Sequence, residues 1–270
     1  MTAASAVSVA FGKAAADNRA ALVGYVPAGF PTVEGAIAAA QAMAEAGADI
    51  IEVGLPYSDP LIDGPVIAEA VHRALAGGTR VGDVLATVEA LAGAGIPALV
   101  MTYWNPVDRY GPRAFARDLA RAGGSGLITP DLTPEEAGPW LEAADEFGLD
   151  RVFLAAPSST EERLATITGT CRGFVYAASL MGITGTRDAV SGDAGALVAR
   201  IRQHTDLPVA VGLGVSNGVQ AAQVASFADG VIVGSAFVRR LLDADPAAGL
   251  AAVRDLAAEL AAGVRRKLQS

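Results

Sequence analysis

Two carboxylates within residues 51–64 are the strongest indication of chemistry in this sequence. Glu52 lies in an otherwise apolar run, where an ionised carboxylate loses much of its solvation energy unless it is paired or its pKa is raised. Asp63 follows eleven residues later, in the segment that leaves the same run. Because sites on parallel strands gather where the strands end, both side chains are expected to meet there. Two carboxyls in unequal environments can divide into an acid and a base.

Each of these carboxylates also has an ordinary interpretation, and the sequence leaves both open. The Glu52 side chain could reach solvent or an arginine at the end of its strand. Asp63 is followed by Gly64 and Pro65, which is the composition of a common turn. Asp59 is expected to be a loop or cap residue rather than a third catalytic acid.

Two glycine-containing segments late in the chain, residues 211–216 and 233–236, indicate a phosphate site. They follow the seventh and eighth predicted strands, where barrel enzymes often bind phosphate with backbone N–H groups and the start of a short helix. Glycines also end strands for steric reasons, so the spacing of Gly212 and Gly214 is a weak signal alone. The occurrence of both segments at the right strands carries the prediction.

A long polar segment containing Gly182 and Gly185 follows the sixth predicted strand. Such a segment beside a phosphate site is typical of a loop that closes over substrate, although a long loop with no gating role fits the composition equally well. Tyr103 and Tyr176 stand near the ends of the third and sixth strands. They are either walls of an aromatic pocket or ordinary core and rim residues.

The elements that must position these residues alternate along the whole chain. Short apolar runs are separated by longer alanine-rich amphipathic stretches, the pattern of parallel strands buried on both faces and covered by crossover helices. The predicted strands are residues 21–26, 49–54, 98–103, 126–129, 151–155, 173–178, 208–212 and 230–234.

Several helices have recognisable boundaries. One is predicted over residues 32–46, with Val33, Ile37, Ala40 and Ala44 on its apolar stripe and Gly47 as its stop. Another is predicted to begin at residue 133, where a threonine N-cap precedes a proline and two acids. Two more, near residues 66–76 and 81–94, fill the long gap after the second strand. The tail, residues 236–267, is also mostly helical in pattern.

Eight strand–helix units with no linker between them predict an α/β fold, a single (β/α)8 TIM barrel over residues 1–270 with extra helices after strand 2 and near strand 8. An open doubly wound sheet is the alternative that the pattern leaves.

Composition excludes several function classes. The net charge of −9 argues against a nucleic-acid binder, and the one compact basic cluster, residues 265–267, fits the cationic end of a C-terminal helix. Cys171 is the only cysteine, and His72 and His204 are isolated, so neither a disulfide framework nor a zinc site is expected. There is no long apolar run, and we expect a soluble cytoplasmic protein without a metal.

Residues 51–64 resemble the signature of tryptophan synthase α subunits at every position constrained in that family. The resemblance continues through residues 22–31, 103–106 and 183–185 and through both glycine-containing segments, so it covers nearly the whole chain in order.

The resemblance implies a role for individual residues. Glu52 and Asp63 fall on the catalytic carboxylates of the family. The implied substrate-binding residues are Tyr25, Tyr103, Tyr176, Thr184, Leu213 and Val215. The implied phosphate-binding residues are Gly185, Gly214, Gly234 and Ser235. Those implied to lie on loops near the β subunit are Pro56, Asp59, Asn105 and Pro106.

The implied reaction is a lyase reaction of L-tryptophan biosynthesis, the retro-aldol cleavage of indole-3-glycerol phosphate to indole and glyceraldehyde 3-phosphate. The chain needs no cofactor for it, and pyridoxal phosphate is expected in a partner β subunit within an α2β2 assembly. Without the resemblance, a sugar-phosphate isomerase or epimerase and a non-catalytic binding barrel remain alternatives.

Two departures from the family pattern stand out. Phe30 lies where many members have aspartate, which argues against a polar role for that loop. Leu213 stands where phenylalanine is frequent, which is expected to loosen the packing of indole without changing the chemistry.

Overall fold

Eight parallel strands form a closed barrel in the computed structural model, which describes residues 4–178, 187–212, 214–242 and 244–265. Each strand pairs with the next along the chain and β8 pairs with β1, which confirms the barrel and excludes the open sheet. The strands are β1 (Ala21–Pro27), β2 (Ile50–Gly54), β3 (Ala98–Met101), β4 (Gly126–Thr129), β5 (Asp150–Ala155), β6 (Val175–Ala178), β7 (Val209–Gly212) and β8 (Gly230–Val233).

Helices follow the strands and cover the outside of the barrel. They are α1 (Ala6–Ala16), α2 (Val33–Glu45), α3 (Pro65–Ala76), α4 (Val81–Gly93), α5 (Trp104–Tyr110), α6 (Pro112–Arg121), α7 (Gly138–Phe147), α8 (Glu161–Thr170), α9 (Arg187–Ile201), α10 (Gly218–Ala225), α11 (Ser235–Leu242) and α12 (Pro246–Val264). The predicted extra helices after strand 2 and near strand 8 are therefore present. Within the described ranges, no helix is both long enough and apolar enough to span a membrane.

The boundaries of α2 arise from local chemistry that the sequence shows. The Thr32 hydroxyl accepts a hydrogen bond from the Gly35 N–H at 3.0 Å and so begins the helix. Gly47 follows the helix with a φ of +116°, a conformation that favours glycine, and a Cβ there would lie 2.7 Å from the Ala261 side chain.

The predicted stripe on α2 was wrong by about one residue. Its buried residues are Ala36, Ala39, Ala40, Ala42 and Met43. Small alanines let the helix pack close to the sheet. The larger Val33 and Ile37 lie at the margins of that contact, where they are partly exposed.

The prediction of a helix from residue 133 was also wrong, because only a single turn forms there. The Glu136 N–H donates to the Thr133 carbonyl at 3.1 Å, and α7 then begins at Gly138. Pro139 has no N–H to continue a helix from residue 133, but it fits the first turn of a new one.

The amino-terminal helix α1 closes one end of the barrel, a role that the sequence analysis did not identify. Val7, Phe11 and Ala14 of α1 are buried against inward-facing strand residues such as Val23 and Ile128. This contact seals the end where the strands begin. The opposite end, where the strands finish, is left for the functional loops.

Candidate active site

A cavity of about 210 Å³ opens where the strands finish. Its walls come from the ends of strands and from the loops that follow them, as expected for a barrel enzyme. The lining residues are Tyr25, Glu52, Leu55, Tyr57, Asp63, Ile67, Val71, Met101, Thr102, Tyr103, Pro130, Tyr176, Gly212, Gly214, Ile232, Gly234 and Ser235.

Glu52 lies in the middle of β2, between Tyr25 of β1 and Leu99 of β3. Glu52 is only 1% exposed, and its Oε1 atom has no hydrogen-bond partner. Burial raises the pKa of this carboxyl to about 8. The alternative of a solvated or arginine-paired glutamate therefore does not hold, because no ion pair to Glu52 exists in the described part of the chain.

Asp63 reaches the same cavity from the loop between β2 and α3. The Tyr103 hydroxyl donates to Asp63 Oδ1 at 2.8 Å and accepts from the Ile62 N–H at 3.0 Å. Burial raises the pKa of Asp63, and the hydrogen bond from Tyr103 opposes that rise. The turn interpretation of Asp63 is thus incomplete, since its carboxyl faces the same space as Glu52.

Tyr25 and Tyr176 form a second, uncharged layer around Glu52. Burial raises the pKa of each phenol well above its ordinary value, and the charge of Glu52 contributes in both cases. Both phenols are therefore protonated at neutral pH. Their neighbours make room for them: a Cβ at Gly54 would collide with the Tyr25 hydroxyl, and one at Gly212 with the Tyr176 hydroxyl.

The wall beside Tyr25 and Tyr176 is formed by the two glycine-containing segments. Gly214 has a φ of +66°, a conformation that favours glycine. Gly234 and Ser235 stand at the start of α11, where the Gly234 carbonyl accepts from the N–H groups of Phe237 and Val238 at 2.9 and 3.2 Å. The first N–H groups of a helix have no partner within it, so this wall presents donors to the cavity.

The structure does not gather every candidate in this cavity. Val215 is buried in the hydrophobic core and is not part of the lining. Thr184, Gly185 and Leu213 lie outside the described residues, as do residues 179–186 of the segment interpreted as a closing loop. The rest of that segment, from Arg187, belongs to α9. Phe30 is 1% exposed and packs in the core, which agrees with the absence of a polar role at that position.

Sequence reasoning missed the apolar wall of the cavity. Ile67 and Val71 on α3, together with Leu55 and Ile232, provide most of it. The spacing of Ile67 and Val71 places them on one face of a helix, a signal that was available. The positions of Leu55 and Ile232 depend on the closure of the barrel.

The candidate docking residues around the mouth differ in exposure. Asp59 and Asn105 are exposed and Pro106 is partly buried, but Pro56 is buried and offers no surface in the free chain. Pro56 does lie in the loop that follows β2, and its contact with a β subunit stays a prediction. Leu61 and Ile62, which were not singled out, are 76% and 54% exposed in the same loop.

The described residues contain no cluster of histidine, cysteine, aspartate and glutamate that could hold a metal ion. The chemistry that these side chains themselves support is proton transfer beside an apolar surface, next to the start of a helix, where backbone N–H groups can bind an anion.

Comparisons with known proteins agree with this geometry. The family model described as tryptophan synthase alpha chain matches residues 11–265. The tryptophan synthase alpha chain of Thermobifida fusca (strain YX) is 63% identical over 257 residues, 94% of this chain and 95% of the relative. That of Salinispora tropica is 63% identical over 262 residues, 97% of this chain and 98% of the relative.

Solved structures give the same result. A chain in the crystal structure of tryptophan synthase from M. tuberculosis is 57% identical and superposes with a TM-score of 0.90, covering 97% of this chain and 100% of that one. These matches exclude the isomerase, epimerase and non-catalytic alternatives. The chain belongs to the tryptophan synthase alpha chain family, lyases that cleave indole-3-glycerol phosphate in tryptophan biosynthesis and work in complex with a β subunit.

Proposed function

We propose that Glu52 and Asp63 carry out the retro-aldol cleavage in the mouth cavity, with Glu52 as the principal acid and base. The observation that carries this assignment is a buried carboxyl with an unpartnered oxygen and a pKa raised to about 8. At neutral pH such a carboxyl is mostly protonated, and it can both give and recover a proton within a small pH range.

The reaction divides between two ends of the substrate. Glu52 donates a proton to C3 of the indole ring, which gives an indolenine with positive charge at nitrogen. The resulting carboxylate then accepts the proton of the hydroxyl on the adjacent side-chain carbon. The electrons of the breaking carbon–carbon bond return to the ring, releasing indole and glyceraldehyde 3-phosphate.

Asp63 is assigned to the indole N–H, where an ionised carboxylate stabilises the positive charge that develops. For this role it must be deprotonated, and the hydrogen bond donated by Tyr103 favours that form. The proposal requires opposite protonation states of Glu52 and Asp63 before the reaction, one as an acid and the other as an electrostatic partner.

The remaining assignments follow the shape of the cavity and the family resemblance. Tyr25, Tyr103 and Tyr176 line the cavity and surround the indole ring. Leu213, Val215 and Thr184 are assigned to substrate binding from the family resemblance alone, since Val215 lies outside the lining and the other two lie outside the described residues. Gly214, Gly234, Ser235 and Gly185 bind the phosphate. Backbone donors at the start of α11 can hold an anion although the chain carries a net charge of −9.

We also propose that residues 1–270 form one domain and that two such chains join two β subunits. Acid–base cleavage needs no cofactor in this chain, and pyridoxal phosphate is expected in the β subunit, where it would join indole to serine. The cytoplasm is the proposed location.

The test is release of indole from indole-3-glycerol phosphate by the purified chain, alone and with a β subunit. In the isolated chain we expect Asp63→Asn to lose most of its activity while Asp59→Asn, a matched change at an exposed carboxylate in the same loop, retains it. Equal activity in the two variants would remove Asp63 from the mechanism.

A further inference from the structure

Two loops at the mouth are joined through the hydroxyl of Tyr103. This residue is only 5% exposed and stands at the end of β3. Its hydroxyl accepts the Ile62 N–H at 3.0 Å and donates to Asp63 Oδ1 at 2.8 Å. Since a phenol has a single proton, the hydrogen bond from Ile62 directs that proton toward Asp63.

The ring of Tyr103 is itself held by a second aromatic ring. Tyr57 packs against it with ring centroids 5.5 Å apart and an angle of 40° between the planes. The Asn105 amide donates to the Tyr57 hydroxyl at 3.1 Å. Tyr57 thus connects the start of the loop after β2 to the first turn of α5.

The first turn of α5 is anchored to a third loop. The Trp104 N–H donates to the Asp131 carboxylate, 2.9 Å from Oδ1 and 3.1 Å from Oδ2. This carboxylate therefore caps a helix that has no side-chain cap of its own from Tyr103. These contacts form a continuous series from Asp131, through the first turn of α5 and Tyr57, to Tyr103 and Asp63.

We infer that Tyr103 is a positioning residue that fixes Asp63 through its hydroxyl, and that Tyr57, held by Asn105, keeps Tyr103 in that orientation. The inference rests on the proposed role of Asp63. It adds to the pocket-lining role expected of Tyr103, because lining an indole pocket requires the ring alone. Here the hydroxyl occupies one carboxylate oxygen and leaves Oδ2 available to the indole N–H.

The charge of Asp63 is also part of this arrangement. Glu52, Tyr25 and Tyr103 are the titratable groups that line the cavity around it, together with Tyr57 and Tyr176. Tyr103 favours the ionised carboxyl, and removal of its hydroxyl is therefore expected to raise the pKa of Asp63.

The experiment compares tyrosine-to-phenylalanine variants, which keep the ring and remove one hydroxyl. For Tyr103→Phe we expect kcat to fall about tenfold at neutral pH with KM changed less than about twofold. The acidic limb of the kcat profile should move to higher pH, since less of Asp63 is ionised at a given pH. Tyr57→Phe should show the same changes to a smaller extent.

Tyr110→Phe is the matched control. Its hydroxyl donates to the Asp118 carboxylate at 2.9 Å, so the substitution removes the same kind of hydrogen bond outside the cavity. Thermal melting of the three variants checks that each is folded, and Tyr110→Phe should keep the wild-type kcat and pH profile.

The outcomes separate this inference from the proposed function. If Asp63→Asn is fully active, the assignment of Asp63 fails and the positioning role fails with it. If Asp63→Asn is inactive but folded Tyr103→Phe keeps the wild-type kcat and pH profile, only the positioning role is overturned. A change in KM alone, with the pH profile unmoved, would also overturn it by reducing Tyr103 to a wall of the pocket.

Discussion

The two ends of the barrel are built from the same strands but differ in the polarity of the side chains that they enclose. At the closed end, α1 seats Phe11 against Phe174 with ring centroids 5.3 Å apart, and the space is filled by apolar side chains. At the open end, the same strands finish around a cavity lined by two carboxyls and several phenols. The closed end is filled by apolar packing, and the carboxyls and phenols that line a cavity lie at the other end.

One buried carboxyl at each end illustrates the contrast, and each has one oxygen without a hydrogen-bond partner, Glu52 Oε1 and Asp150 Oδ1. Asp150, at the start of β5, accepts a hydrogen bond from the Ser5 hydroxyl and lies 3.7 Å from the Arg172 guanidinium. Both contacts oppose the rise in its pKa that burial causes. The pKa of Glu52 is raised by burial alone, so its charge is uncompensated. A compensated carboxyl holds structure together, and an uncompensated one is ready to exchange a proton.

The largest effect is expected for turnover in Glu52→Gln. An amide of similar size keeps the shape of the cavity but cannot transfer a proton, and kcat should fall at least about a thousandfold. Asp150→Asn, the matched change at the closed end, should keep wild-type turnover per folded molecule. Indole release measured on both variants tests this, and substantial release by folded Glu52→Gln would reject Glu52 as the acid and base.

The stability of the same variant should depend on pH. The unfolded chain ionises Glu52 near its ordinary pKa of 4.5, whereas the folded chain keeps the proton until about pH 8. The wild type therefore loses stability between these values, by at most roughly 5 kcal/mol, and the loss is complete above pH 8.

Glutamine has no such titration, so the stability of Glu52→Gln relative to wild type should rise through this range. The cost of burying its unpartnered amide is the same at every pH, so the difference in stability between variant and wild type should grow by up to roughly 5 kcal/mol from pH 4 to pH 9. Denaturant unfolding at both pH values measures it. A difference between variant and wild type that does not change with pH would show that Glu52 titrates normally in the folded chain.

A third prediction concerns the cavity wall at the start of α11, where we propose that the phosphate binds. Gly234→Asp places negative charge beside the start of α11, and substrate affinity should fall about 10- to 100-fold. A Cβ at Gly234 would make only ordinary contacts, at 3.6 Å from Ile67 and Tyr25, so the fold should tolerate the change.

Gly12→Asp is the control for that variant. Gly12 is an exposed residue of α1 with open space around it, and the substitution adds the same charge at the closed end. Measurement of KM and of glycerol phosphate binding distinguishes the two sites. Equal affinities in both variants would show that the phosphate does not bind at the start of α11.

The sequence was informative where a residue disagreed with its surroundings. Glu52 contrasts with an apolar strand, and the eight strands are visible because each is a local run. The closed end could not be predicted in this way, since Phe11 meets residues such as Phe174 that are distant in sequence. The support of Asp63 was hidden for the same reason: Asn105 and Tyr57 are 48 residues apart, and the parallel pairing of β2 with β3 brings them together.

The smallest effect is expected for substitutions of exposed apolar residues at the two ends of the barrel. Leu61 is 76% exposed in the loop that carries Asp63, and Val9 is 45% exposed on α1. An exposed leucine beside the mouth is removed from water only when a partner covers it. Burial of such a side chain stabilises the complex by about 1.5–3 kcal/mol. Leu61→Ser should therefore weaken docking of the β subunit and reduce its stimulation of indole release about fivefold, while basal release by the isolated chain changes less than about twofold. Val9→Ser makes a similar change at the sealed end and should leave the stimulation unaltered.

Titration of a cognate β subunit into each variant, with indole release as the signal, gives both the affinity and the maximal stimulation. If Val9→Ser lost stimulation and Leu61→Ser did not, the β subunit would dock at the closed end, and the functional contrast between the two ends would have to be reversed.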